Sequence, residues 1–286
     1  MSVKEPEGSG ALIERQGHVG PFLTFVEHER PDGHLARWES RRHRKHLRAP
    51  AGSTWWAPRA RGWWIAVLFA VGSLLFALGA VPAYAGTVGA RWDGVTFFVG
   101  SLFFTSAGFL TYREAVDAAT PAPGVAPRRF FAFQPRRIDW WATAVQLVGT
   151  LFFNISCGFA LLTALSAQGA HHHVWRPDAF GSICFLVASA LAWLEVCHGW
   201  FDWAPGSWSW WITLANLAGS LAFGVSAVTG YISPQTGQLH NADRSGVATF
   251  VGAVCFFLGA LLLLPERTEL ERPDSEGPEP PAAGEE

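Results

Sequence analysis

The stretch at residues 63–79, WWIAVLFAVGSLLFALG, decides how the rest of the chain is read. It is apolar from end to end and opens on Trp63-Trp64. It then carries Gly72, the small residue Ser73 and, four residues after the glycine, Phe76. The same order returns five more times, as Gly100–Phe104, Gly149–Phe153, Gly181–Phe185, Gly219–Phe223 and Gly252–Phe256. The residue after each glycine is again small (Ser101, Thr150, Ser182, Ser220, Ala253). Seven residues after each glycine stands another small residue: Gly79, Ala107, Ser156, Ala188, Ser226 and Gly259.

Each copy lies in its own apolar run: Trp63–Tyr84, Gly94–Thr111, Trp140–Leu165, Phe180–Leu194, Trp210–Tyr231 and Val247–Leu264. About 20 apolar residues cover a hydrocarbon core of about 30 Å as a helix. Backbone polar groups find no water there, so separate apolar runs must be helical. None of the six runs holds a Lys, Arg, Asp or Glu in its core. The fold expected is all-α: a polytopic membrane bundle of six transmembrane helices. Composition agrees, with 50% hydrophobic and only 15% charged residues, against roughly 25% charged in an average globular chain.

The odd and even runs differ. Trp63-Trp64, Trp140-Trp141 and Trp210-Trp211 precede the motif glycines of the odd runs, and Glu114, Glu195 and Glu266 each follow the even glycine by fourteen residues. The repeat is therefore a hairpin, present as 63–114, 140–195 and 210–266 within a transmembrane domain at 63–266. At 1.5 Å per residue the odd Gly and Phe lie roughly 12 and 18 Å from the Trp pair. The even Phe and Gly lie roughly 15 and 21 Å from the Glu. Each Phe then falls level with its partner's Gly, which predicts reciprocal packing of a ring over a missing side chain. In lipid, close approach at small residues is what holds helices together.

Orientation follows from Lys and Arg. With the N-terminus inside, 18 basic residues fall in inner segments and three (Arg91, Arg176, Arg244) in outer loops. Both termini are expected on the cytoplasmic side of an inner (plasma) membrane. Residues 1–62 form a polar, basic arm in which Phe22–Val26 reads as a short amphipathic or strand-like element. The first strongly apolar run begins near Trp63, so no cleavable signal peptide is expected. Arg41, Arg42, Arg44, Lys45 and Arg48, ahead of a span, read as a topology determinant that meets anionic lipid. Nucleic-acid binding is not expected, and a homo-oligomer is left open. The Pro- and Glu-rich tail at 267–286 is expected to be disordered.

Hairpins built as W-W…G-S-L-x-F followed by G-S-x-x-F…E resemble the YrhK-like domain, a bacterial membrane module of paired helices. The likeness is clearest at Gly72-Ser73-Leu74 and Gly219-Ser220-Leu221 and departs from the pattern at Thr150, Ala253 and the long basic arm. It implies paired membrane helices but no activity, so no functional residue carries over.

The candidates for chemistry are few. Glu114, Glu195 and Glu266 should share one end of the bundle, where they would form a carboxylate ring able to select cations. The plain alternative is three interfacial acids inherited from a duplicated hairpin. Gln146 and Asn216 both lie three residues before a motif glycine, where the first repeat has Phe69, and Asn154 lies five residues after Gly149. Such amides ordinarily bond across helices. His171, His172 and His173 are expected on a solvated outer loop. No metal or cofactor site is expected, because consecutive His seldom share an ion and the four cysteines form no C-x-x-C pair. With no catalytic motif the chain reads as non-enzymatic. Two functions are therefore weighed: a membrane packing or interaction module, and a transporter or channel for a small or neutral solute with a pathway between the hairpins.

Overall fold

The computed structural model describes residues 15–29, 35–46, 53–118, 133–161 and 166–270. Its first element is an antiparallel sheet of β1 (Arg15–Val19), β2 (Phe22–Glu29) and β3 (Leu35–Glu39), in the order β1-β2-β3. The strand-like reading of 22–26 thus falls within β2. β3 passes directly into α1 (Ser40–His46). The helices that follow are α2 (Arg61–Gly79), α3 (Pro82–Val88), α4 (Ala90–Ala118) and α5 (Ile138–Ala160). Then come α6 (Ala167–Ala170), a π-helical turn at His171–Trp175, α7 (Arg176–Val196), α8 (Trp208–Thr229) and α9 (Ala242–Leu270).

Among the described residues six helices are long and apolar enough to cross a membrane: α2, α4, α5, the continuous run from α6 through α7, α8 and α9. Among the departures from the expected limits, two have a clear cause in the sequence. α2 stops at Gly79, before Tyr84, and Pro82 opens α3 instead. Proline suits a first helical turn and cannot donate within a running one. The fourth span, expected to be the shortest, is among the longest at 30 residues, because the π-turn carries α6 into α7 without a break. The acidic tail lies outside the described residues beyond Leu270.

The spans close into a ring. α2 packs on α4, α4 on α5, α5 on α7, α7 on α8, α8 on α9, and α9 returns to α2. Three sequence hairpins therefore stand around one axis, with all Trp pairs and repeat glutamates at one end. Outward faces carry Leu74, Leu102, Leu151, Ile183, Leu221 and Val251, all well exposed. A surface of that kind suits hydrocarbon.

On the axis lie the six motif phenylalanines, each no more than 6% exposed. They form two triangles. Phe76, Phe153 and Phe223 have ring centroids 5.9–6.4 Å apart, and Phe104, Phe185 and Phe256 have theirs 5.6–6.2 Å apart. Within the hairpins the triangles join at 5.4, 5.2 and 5.2 Å. Edge-to-face pairs at these separations are favourable beyond the area they bury.

The glycines explain why the rings fit. A Cβ on Gly72 would stand 2.9 Å from the Phe104 ring and one on Gly100 2.9 Å from Phe76. The second hairpin repeats this with Gly149 against Phe185 and Gly181 against Phe153, and the third with Gly219 against Phe256 and Gly252 against Phe223. Gly72, Gly149, Gly181, Gly219 and Gly252 also face the carbonyl oxygen of the partner glycine, 3.0–3.2 Å from where a Cβ would be. The reciprocal packing expected from helix rise is what the structure contains.

Candidate functional site

The end of the bundle that carries the Trp pairs is entered through a turn repeated three times. Trp56-Ala-Pro58, Phe133-Gln-Pro135 and Trp203-Ala-Pro205 each stand ahead of a Trp pair. The second indole of each pair donates to the proline carbonyl oxygen: Trp64 to Pro58 at 2.9 Å, Trp141 to Pro135 at 3.1 Å and Trp211 to Pro205 at 2.9 Å. Each odd helix thus starts with its indole backed against its own turn, and the residue just before the pair stands at the mouth of the ring. That residue is Gly62, Asp139 or Ser209.

The mouth is filled by α1. Arg41 donates from Nε to Glu266 Oε1 at 2.8 Å, and Lys45 Nζ lies 2.7 Å from Glu266 Oε2. Ser209 Oγ donates to Glu266 Oε1 at 2.5 Å. Ser40 Oγ donates to Glu195 Oε1 at 2.7 Å. Arg44 lies deepest, 3.8 Å from Glu195 Oε2 and 3.7 Å from Asp139 Oδ2. Asp139 is held from its other side by the Arg137 guanidinium through two hydrogen bonds. Asp139, Glu195 and Glu266 are each no more than 1% exposed. Burial works against the Arg44 charge, but Glu195, Asp139, Glu114 and Glu266 around it outweigh that and hold the guanidinium above its ordinary pKa.

The three repeat glutamates therefore do converge, and two of them are buried rather than interfacial. Glu114 lines the same space and, among the described residues, makes no direct ion pair. Arg41, Arg44 and Lys45, read from the sequence as facing lipid, are turned into this carboxylate ring instead, because buried carboxylates need a counter-charge more than a solvated headgroup does. The side chain of Arg42 and all of Arg48 lie outside the described residues.

Above α1 and below the phenylalanine layer is a cavity of about 90 Å³, room for about three waters at liquid density. Its floor includes Arg44, its roof Phe69 and Phe256, and its walls Gln146, Asn216 and Ser189. Gly259 makes space for the Asn216 amide, whose Oδ1 would stand 2.7 Å from a Cβ there. Asn154 is elsewhere: its Nδ2 donates to Thr105 Oγ1 at 2.8 Å, tying α5 to α4. That is the cross-helix role ordinary for an intramembrane amide.

The opposite end departs from the expectation of a solvated His loop. His171 is buried, its Nδ1 is 2.7 Å from the Ile232 carbonyl oxygen and its ring stacks on Trp175. His172 and His173 are exposed. The cluster is a packed cap joining the π-turn to the strand-like loop after α8, and no group of three His, Cys, Asp or Glu suited to a metal occurs among the described residues.

Asp139, Ser209 and Ser40 escaped the sequence reading. Superposing the three hairpins at their Trp pairs would have singled out the first two, since Gly62, Asp139 and Ser209 share one position. Ser40 carries no such signal. Comparison with protein-family models, with curated proteins and with solved structures finds no match.

Proposed function

We propose that this chain is a multi-pass membrane interaction module, similar in plan to YrhK-like hairpins, whose six-helix ring holds a basic helix in an acidic mouth. The observation that carries this reading is Glu266, buried in the ring and contacted by Arg41 and Lys45 of α1. Taking one partner from a buried pair strands the other charge, at a cost of about 3–5 kcal/mol, so α1 is a specific occupant of this mouth. Support for a module rather than an open pore comes from the two phenylalanine triangles, which fill the axis at mid-height. The skew of Lys and Arg supports cytoplasmic termini, and the polar arm with its sheet then stands on the cytoplasmic face of a bacterial inner membrane.

The test is a charge swap. In detergent-solubilised full-length protein, Glu266→Lys should expose the segment 40–46 to protease, and adding Arg41→Glu with Lys45→Glu should restore protection. Equal cleavage of wild type and Glu266→Lys would overturn the docking reading. A transporter is the second reading, favoured by a cavity that touches Gln146 and Asn216. Protein-dependent flux of urea or glycerol into proteoliposomes would establish that reading in place of the first.

A further inference from the structure

The contacts of α1 are uneven. Arg41 and Lys45 meet Glu266 at hydrogen-bond distance, but Arg44 makes no hydrogen bond to either carboxylate it faces. It stands 3.7 and 3.8 Å from them, beyond hydrogen-bond reach. Its Nε is buried without a hydrogen-bond partner, and Glu195 Oε2, though within ion-pair distance of Arg44, accepts no hydrogen bond either. Both residues line the cavity, and Glu195 is only 1% exposed. A carboxylate oxygen without a hydrogen bond deep in a membrane protein is costly and marks a place where something belongs.

Charge decides what belongs there. Among the described residues, four cations, Arg41, Arg44, Lys45 and Arg137, face four carboxylates, Glu114, Asp139, Glu195 and Glu266. With Arg44 in place the site is balanced, and no further ion enters favourably. If Arg44 withdraws, Glu195 and Glu114 are left facing amides and aromatic rings. Gln146, Asn216 and Ser189 offer neutral acceptors, and the rings of Phe69 and Phe256 line the same space. Acceptors of this kind suit N–H donors, and the occupant the chain itself supplies is a guanidinium.

We infer that the cavity between the phenylalanine layer and α1 binds a small organic cation with N–H donors, of guanidinium or methylammonium type, and that Arg44 is its tethered competitor. The inference rests on the docking of α1 proposed above. Cation and Arg44 claim the same carboxylates, so occupancy of one excludes the other. Arg41 and Lys45 keep α1 seated on Glu266 while Arg44 alone swings clear.

The test uses full-length protein in nanodiscs of neutral lipid, with equilibrium binding of radiolabelled guanidinium and methylammonium at fixed ionic strength. Arg44→Gln should tighten guanidinium binding by about tenfold or more by removing the competitor. Arg44→Lys, which keeps the charge, should stay near wild type. Glu195→Gln in the Arg44→Gln background should abolish binding. Unlabelled tetramethylammonium, which has the charge without the N–H groups, should fail to compete. Absence of saturable binding in the Arg44→Gln protein, or equal competition by tetramethylammonium, would overturn the site. Protease protection of segment 40–46, read on the same samples, separates failure of the site from failure of docking. Saturable binding of equal strength in wild type and Arg44→Gln, with the segment protected, would overturn the competition.

Discussion

The phenylalanine layer and the carboxylate layer are built by the same three hairpins, yet only one keeps their symmetry. At mid-height every hairpin does the same thing: two rings lie over two glycines, and six equivalent side chains meet on the axis. At the mouth no two hairpins agree. Glu266 receives two cations and a serine, Glu195 one serine and a distant guanidinium, and Glu114 no direct ion pair among the described residues. The residue ahead of each hairpin's Trp pair is glycine, aspartate or serine. Packing against copies of itself fixes a repeat, because each ring must fit the gap its neighbour leaves. A single asymmetric helix seated on a threefold mouth releases that constraint, and the three positions can then diverge.

The comparison breaks first, and hardest, at the symmetric layer. A Cβ on Gly252 would stand 2.4 Å from the Phe223 ring and 3.0 Å from the Gly219 carbonyl oxygen. Overpacking by a few methylenes commonly costs about 1–3 kcal/mol, and here the backbone must separate as well. Gly252→Leu should therefore prevent a folded, monodisperse bundle, and Gly72→Leu and Gly219→Leu should each lower the melting temperature markedly in detergent. Unchanged melting would sink the ring-on-glycine account. At the mouth the expected pattern is graded rather than uniform. Glu266→Gln should weaken α1 docking by about 3–5 kcal/mol, Glu195→Gln by less and Glu114→Gln least, read as protease sensitivity of segment 40–46. Three equal effects would mean that the glutamates still act as a symmetric ring. The smallest effects should be equal again. Trp64→Phe, Trp141→Phe and Trp211→Phe each remove one indole-to-proline hydrogen bond, worth about 1 kcal/mol, and should shift melting alike.

Much of the bundle was legible because lipid leaves few choices. Apolar length dictates helices, and a fixed rise per residue brings Phe76 level with Gly100. The carboxylate ring was half legible, since counting from the motif glycines brought Glu114, Glu195 and Glu266 to one level. Its occupant was not. A run of Arg and Lys ahead of a span has the same composition whether it meets headgroups or buried acids, and Ser40 meets Glu195 across 155 positions of chain. No local pattern encodes a pairing of that range. Asn154 and Gln146 looked alike in sequence, and only the direction of each side chain separated a cross-helix bond from a cavity wall.

One junction has a mechanical meaning. β3 ends at Glu39 and α1 begins at Ser40, with no slack residue between them. The sheet is a handle fused to the helix. The sheet also rests on the bundle through the Phe25 ring against His198, 4.9 Å between centroids, so a pull on it loads that contact together with the Ser40–Glu195 hydrogen bond. That bond lies at the near end of the helix, with Arg44 and Lys45 one turn further in. Under tension the seat would peel from one end, contact by contact, instead of shearing all its ion pairs at once, and peeling needs far less force.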